Sequence, residues 1–108
     1  MIVPPLVPIE EDRLRIMEDG DEVTLGNRQL RFMDTPGHAR HHHAWLVGDS
    51  AGPAEVVFTG DVLGMVSPAS NYISVPVPPS DIDVPAWRTS LERLRSLAEE
   101  AKAAGARI

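Results

Sequence analysis

A chain of 108 residues, 43% hydrophobic and 24% charged, has the size and balance of one ordinary globular domain, which excludes disordered and fibrous classes. Its net charge of −6, with ten Lys and Arg scattered along the sequence, excludes the clustered basic surface that nucleic acid requires. The absence of cysteine excludes disulfides and a thiolate nucleophile, so any metal must be held by His and carboxylates.

A chain this long buries roughly two thirds of its unfolded surface, enough for a core with little stability to spare. Residues Met1 to Ile9 are apolar but carry Pro4, Pro5 and Pro8 and no basic leader. They resemble neither a signal peptide nor a membrane span, so the expectation is an extended lead-in over residues 1–11, no membrane partner and a cytoplasmic location. Asp12 to Glu18 alternates as a strand would, ahead of an Asp19-Gly20-Asp21 turn. Val23 and Leu25 form a short second strand, Gly26-Asn27 a further turn, and Gln29 to Met33 alternates again, which together predict a small antiparallel meander.

After Asp34-Thr35-Pro36-Gly37 come His38, His41, His42 and His43, then the apolar run Ala44 to Val47, suited to a buried strand. Gly48 to Pro53 reads as a loop, and Glu55 to Thr59 as another buried strand that stops at Gly60-Asp61. Between Gly64 and Pro85 the five prolines Pro68, Pro76, Pro78, Pro79 and Pro85 predict a long irregular connection. Asp83 is suited to cap a helix with Pro85 in its first turn, and Trp87, Leu91, Leu94, Leu97, Ala98 and Ala101 fall at helical spacing. The helix is expected over 84–104, stopped by Gly105, with Ala106-Arg107-Ile108 opening a further strand.

Four histidines between positions 38 and 43 are hard to explain by packing alone, because neutral imidazole is the commonest metal ligand. Singly, His41 and His43 each read more readily as a surface residue, or one that hydrogen-bonds behind the ligands or meets substrate, than as a ligand. Position is more informative than number: a ligand on a Gly-containing turn at a strand end projects from a rigid element, as His38 does after Thr35-Pro36-Gly37. Asp61 follows Val56-Val57-Phe58 and Gly60 in the same manner, where a carboxylate suits a divalent cation.

The stretches Glu18 to Gly26, Leu30-Arg31-Phe32-Met33-Asp34-Thr35-Pro36-Gly37-His38 and Val57-Phe58-Thr59-Gly60-Asp61-Val62-Leu63 resemble, in order, spacing and residue type, the central part of metallo-β-lactamase-fold hydrolases. The resemblance covers Asp12 to Leu63, with weaker motifs in the Pro-rich loop and helix. It implies an α/β (α+β) chain, here a single partial αββα sandwich with an antiparallel or mixed sheet over 12–63, a Pro-rich loop over 64–83 and a C-terminal helix. It implies two metals, usually zinc, with His38 binding one and Asp61 bridging both, and a bridging hydroxide that attacks an ester, thioester, lactone or related bond of a small-molecule substrate. His42 stands where some members, hydroxyacylglutathione hydrolases among them, carry a histidine that is not a ligand, and hydrogen bonding behind the ligands is its expected role. His41 either faces substrate or solvent, and Tyr72 either reaches the site from the long loop or is a solvated loop residue.

The family's His-x-His-x-Asp-His motif and its last histidine ligand have no counterpart here. His38 and Asp61 are two ligands where catalytic sites keep three, so the expectation is a fragment of a longer product, inactive alone, or half of an enzyme completed by a partner chain or homodimer. The alternative is a non-catalytic module that binds metal weakly through its histidines or a partner through an exposed apolar face.

Overall fold

The computed structural model describes residues 7–49, 52–74 and 80–105. Alternation across Gly26-Asn27 closes a hairpin, in which β1 (Glu22–Leu25) and β2 (Arg28–Asp34) run antiparallel with Leu25 opposite Arg28. Gly26 takes φ +61° as the first central residue of this two-residue turn, a conformation that matches the right-handed twist of the strands and costs glycine little. β3 (His43–Gly48) and β4 (Ala54–Phe58) continue the meander to give one four-stranded antiparallel sheet in the order β1-β2-β3-β4.

The register sorts the side chains. Met33 lies opposite Ala44 and Leu46 opposite Val57, which puts these four on one face. Phe32 lies opposite Trp45, Val47 opposite Val56 and Trp45 opposite Phe58, which puts these on the other. On the first face rests α1 (Val84–Ala103), and Met33, Ala44, Leu46, Val62 and Leu94 form the buried core between helix and sheet. α1 begins as its sequence dictates: the Asp83 carboxylate accepts from the Ala86 amide at 3.0 Å, with proline in the first turn. It ends where Ala104 and Gly105 donate back to Glu100 and Lys102, with Gly105 at φ +92°.

Three expectations are corrected. Asp12 to Glu18 forms no strand: Glu11–Arg13 is a single 3-10 turn, Leu14 and Ile16 lie exposed, and among the described residues no strand pairs with this segment's backbone. The Asp19-Gly20-Asp21 segment is ordered by its turn instead, since Gly20 donates to the Phe32 carbonyl and the Phe32 amide to that of Asp21. Among the described residues β4 is an edge strand rather than a buried one, with Val56 and Phe58 exposed. The Pro-rich connection is not irregular throughout, because β5 (Met65–Val66) pairs antiparallel with β6 (Ile73–Ser74). Part of the lead-in, Pro76, Pro78 and Pro79, and the strand expected to open at Ala106 lie outside the described residues. Among the described residues no helix is long and apolar enough to cross a membrane.

Candidate metal centre

Two turns meet at the top of the covered face. The first, between β2 and β3, carries His38 and is closed by the Thr35 amide donating to the His42 carbonyl at 3.0 Å and the His42 amide donating to Ala39 at 3.2 Å. The second follows β4, where Gly60 at φ +58° turns the chain into the 3-10 turn Gly60–Leu63 and presents Asp61 in its first turn. Val62 is 2% exposed and roots that turn in the core.

α1 holds both turns. The Trp87 indole N–H donates to the Val62 carbonyl at 2.8 Å, and the Ser90 hydroxyl donates to the Pro36 carbonyl at 2.7 Å. Arg93 donates to the Asp34 carbonyl at 2.9 Å and to Asp19, whose carboxylate also receives the Asp34 amide. Ahead of the helix, the Asp83 amide donates to Gly37 and the Asp81 carboxylate accepts from the Arg40 amide at 2.8 Å. The backbone passes so close that a Cβ at Gly37, φ +136°, would stand 2.2 Å from the Trp87 Cα. Ser90, Arg93 and Asp81 were not singled out by sequence reasoning, and Trp87 only as a member of the helix's apolar stripe. Ser90 alone carried a signal, a polar residue three positions after Trp87 and four before Leu94 on the apolar stripe.

The result is one close pair. His38 Nε2 lies 3.4 Å from Asp61 Oδ2, the ring almost covered and the carboxylate half open to solvent. His38 stands edge-on to Trp87 and His42, and its Nδ1 is buried with no hydrogen-bond partner among the described residues, so Nε2 is the nitrogen turned to the open side. Two ligands each about 2.0–2.1 Å from one tetrahedral ion stand roughly 3.3 Å apart, so the pair has the separation of two ligands to a single cation. A convergent imidazole nitrogen and carboxylate oxygen are also the donor set that zinc and similar ions prefer. Among the described residues no group of three or more His, Asp or Glu comes together to hold a metal.

The remaining histidines separate. His42 bridges the two turns: its Nδ1 lies 2.8 Å from Thr35 Oγ1, and its Nε2 accepts the Asp61 amide at 2.9 Å. Burial, reinforced by the neighbouring His38, lowers the pKa of this imidazole below its ordinary value. His43 turns to the other face of the sheet, stacked on Phe32 with ring centroids 4.2 Å apart and edge-on to Trp45. His41 is exposed in the turn, and Tyr72 is 75% exposed beside β6 with no side-chain hydrogen bond among the described residues. The cluster that looked like one group in sequence is therefore distributed over two faces and a turn.

Comparison with known proteins gives relatives of one kind. The chain is 35% identical over 85 residues to a metallo-beta-lactamase fold-containing protein of Sulfurisphaera tokodaii, covering 79% of this chain and 29% of that protein. It is 34% identical over 87 residues to a hydroxyacylglutathione hydrolase of Methylococcus capsulatus, covering 80% of this chain and 29% of that one. Among solved structures, an archaeal metallo-beta-lactamase superfamily protein from Sulfolobus tokodaii superposes with a TM-score of 0.59 at 33% identity, over 82% of this chain and 31% of that structure. No family model matches. The chain spans less than a third of the length of the relatives it matches.

Proposed function

From the premise that this chain belongs to the metallo-β-lactamase fold family, we propose that it forms part of a metal-dependent hydrolase, to which it contributes His38 and Asp61 as ligands of a divalent cation, zinc in our reading. The observation that carries this reading is the 3.4 Å approach of His38 Nε2 to Asp61 Oδ2, at the separation of two ligands on one ion. A cation bound there would acidify a water and polarise the scissile carbonyl. The chain's own residues fix the geometry. Trp87 and His42 flank the His38 ring, leaving Nε2 as its open nitrogen, while Gly60 and Val62 hold the Asp61 turn at the mouth of the site.

An ester or thioester of a small molecule is the substrate class we infer, supported by the likeness to a hydroxyacylglutathione hydrolase. Two ligands are fewer than the three that catalytic zinc sites keep, so hydrolysis requires further donors, supplied by a longer form of this chain, by a complementing chain or by a second copy. The alternative module, a weak metal site built from the histidine cluster, gains no support from the placement of His41 in solvent and His43 against Phe32.

The test is metal content by elemental analysis on a protein in which this chain is joined to the family's upstream ligand motif. About two equivalents of zinc, manganese or iron, reduced by at least one equivalent in both His38→Ala and Asp61→Ala, is the expected result. Metal content unchanged by either substitution would sink the assignment.

A further inference from the structure

His42 holds the two halves of the site together, and its hydrogen bonds fix its protonation. The Asp61 amide can only donate, so the Nε2 that receives it at 2.9 Å carries a lone pair. In a neutral ring the proton must then be on Nδ1, from which it is donated to Thr35 Oγ1 at 2.8 Å. Thr35 is fully buried, so the far end of the bridge is anchored in the core. The near end needs room: a Cβ at Gly60 would stand 2.7 Å from His42 Nε2, and the absence of a side chain there lets the ring reach the Asp61 amide.

Asp61 needs such a fastener. Its side chain is half exposed, it makes no side-chain hydrogen bond among the described residues, and it sits at the start of a short 3-10 turn with no side-chain cap. A carboxylate on a free turn would spread over several orientations and lose the entropy of ordering each time it took a cation. Fixing its backbone amide to a ring that is itself fixed to the β2 end sets the distance between the His38 turn and the Asp61 turn.

We propose that His42 is the positioning residue of the site: a neutral, Nδ1-protonated imidazole that spans Thr35 Oγ1 and the Asp61 amide in the space left by Gly60, and so aims the Asp61 carboxylate at His38 Nε2. It rests on the reading of His38 and Asp61 as ligands, and the experiment separates the two. Imidazole 15N NMR of the metal-free chain reads the first part without any metal: His42 gives the Nδ1-protonated tautomer with a hydrogen-bonded Asp61 amide. An Nε2-protonated ring would overturn the proposal whatever the metal behaviour.

Cobalt(II) titration of the protein in which this chain is joined to the family's upstream ligand motif, followed by visible absorption, reads the second part. His42→Ala weakens the affinity tenfold to a hundredfold, as loss of an orienting partner does at other metal sites. His42→Gln, whose side-chain oxygen can accept from the Asp61 amide, recovers part of it at matched thermal stability, which a merely structural role would not produce. An affinity for His42→Ala within twofold of the unsubstituted joined protein, while His38→Ala and Asp61→Ala lower the cobalt bound, would also overturn it. If the joined protein takes up no cobalt, or if His38→Ala and Asp61→Ala change nothing, the ligand reading falls. The His42 bridge then stands or falls on its tautomer and on the Asp61 amide.

Discussion

The two faces of the four-stranded sheet are made from neighbouring residues of the same strands, yet one is sealed and the other open. Met33, Ala44 and Leu46 are buried under α1, whereas Leu25, Val56 and Phe58, displaced by one position in the alternation, are exposed on the reverse. Hydrophobicity does not separate them, since both sets are apolar. The sealed face has a partner whose hydrogen bonds reach past the strands to the turns, through Trp87, Ser90 and Arg93. The open face covers itself only in part, where His43 and Trp45 pack over Phe32. The candidate ligands emerge at the rim of the sealed face, where rigid support is available on both sides.

Removing the helix from the sealed face has the largest expected effect. Leu94→Ala empties a buried position under the sheet and is expected to cost about 2–5 kcal/mol. Gly37→Ala, which drives a Cβ into the Trp87 backbone, is expected to cost about as much, through overpacking of roughly 1–3 kcal/mol and backbone strain of about 1–2 kcal/mol. Urea denaturation of either variant checks this. A loss under about 1 kcal/mol for both would mean that α1 is not the lid of this core.

The open face should answer in the opposite way. Replacing Val56 and Phe58 together by threonine is expected to change stability by no more than about 0.5 kcal/mol per site, because neither side chain is buried. Self-association should fall, since an exposed apolar patch beside the edge strand β4 invites pairing. Sedimentation velocity at matched concentrations reads this directly, and an unchanged association together with a large loss of stability would show that the face is covered in solution.

The smallest effect lies at the rim. The Arg40 amide donates to Asp81 and lowers its carboxyl pKa below 3.8, so the folded chain holds this group ionised more readily than the unfolded chain. Its contribution to stability is therefore complete above pH 3.8 and is lost as pH falls through the lower folded value. Carboxyl NMR titration should give Asp81 a pKa below its ordinary value, with the Arg40 amide shift tracking the same curve. Asp81→Asn, which keeps an acceptor, should remove the titration while leaving stability at neutral pH nearly unchanged.

Much of this arrangement was legible in the residues. Gly26-Asn27 named the β1-β2 turn, the spacing of Trp87, Leu94 and Leu97 named the helix, and Asp83 named its first turn, because each rests on contacts within a few residues. Asp12 to Glu18 misled for the complementary reason: alternation proposes a strand, but only a neighbouring strand can satisfy its backbone. Burial of β4 was misread because the run Val56-Val57-Phe58 looks the same at the centre of a sheet as at its edge.

For the candidate site the division is similar. The sequence by itself determined the donors and their setting, a histidine after Thr35-Pro36-Gly37 and a carboxylate after Gly60, because glycine turns at strand ends are local chemistry. Only the tertiary structure decided that His38 and Asp61 meet, that His42 spans the gap and that His43 turns away. Those outcomes depend on the register of β2, β3 and β4 and on the weight of α1 against two turns, distances between residues far apart in the chain that no local pattern encodes.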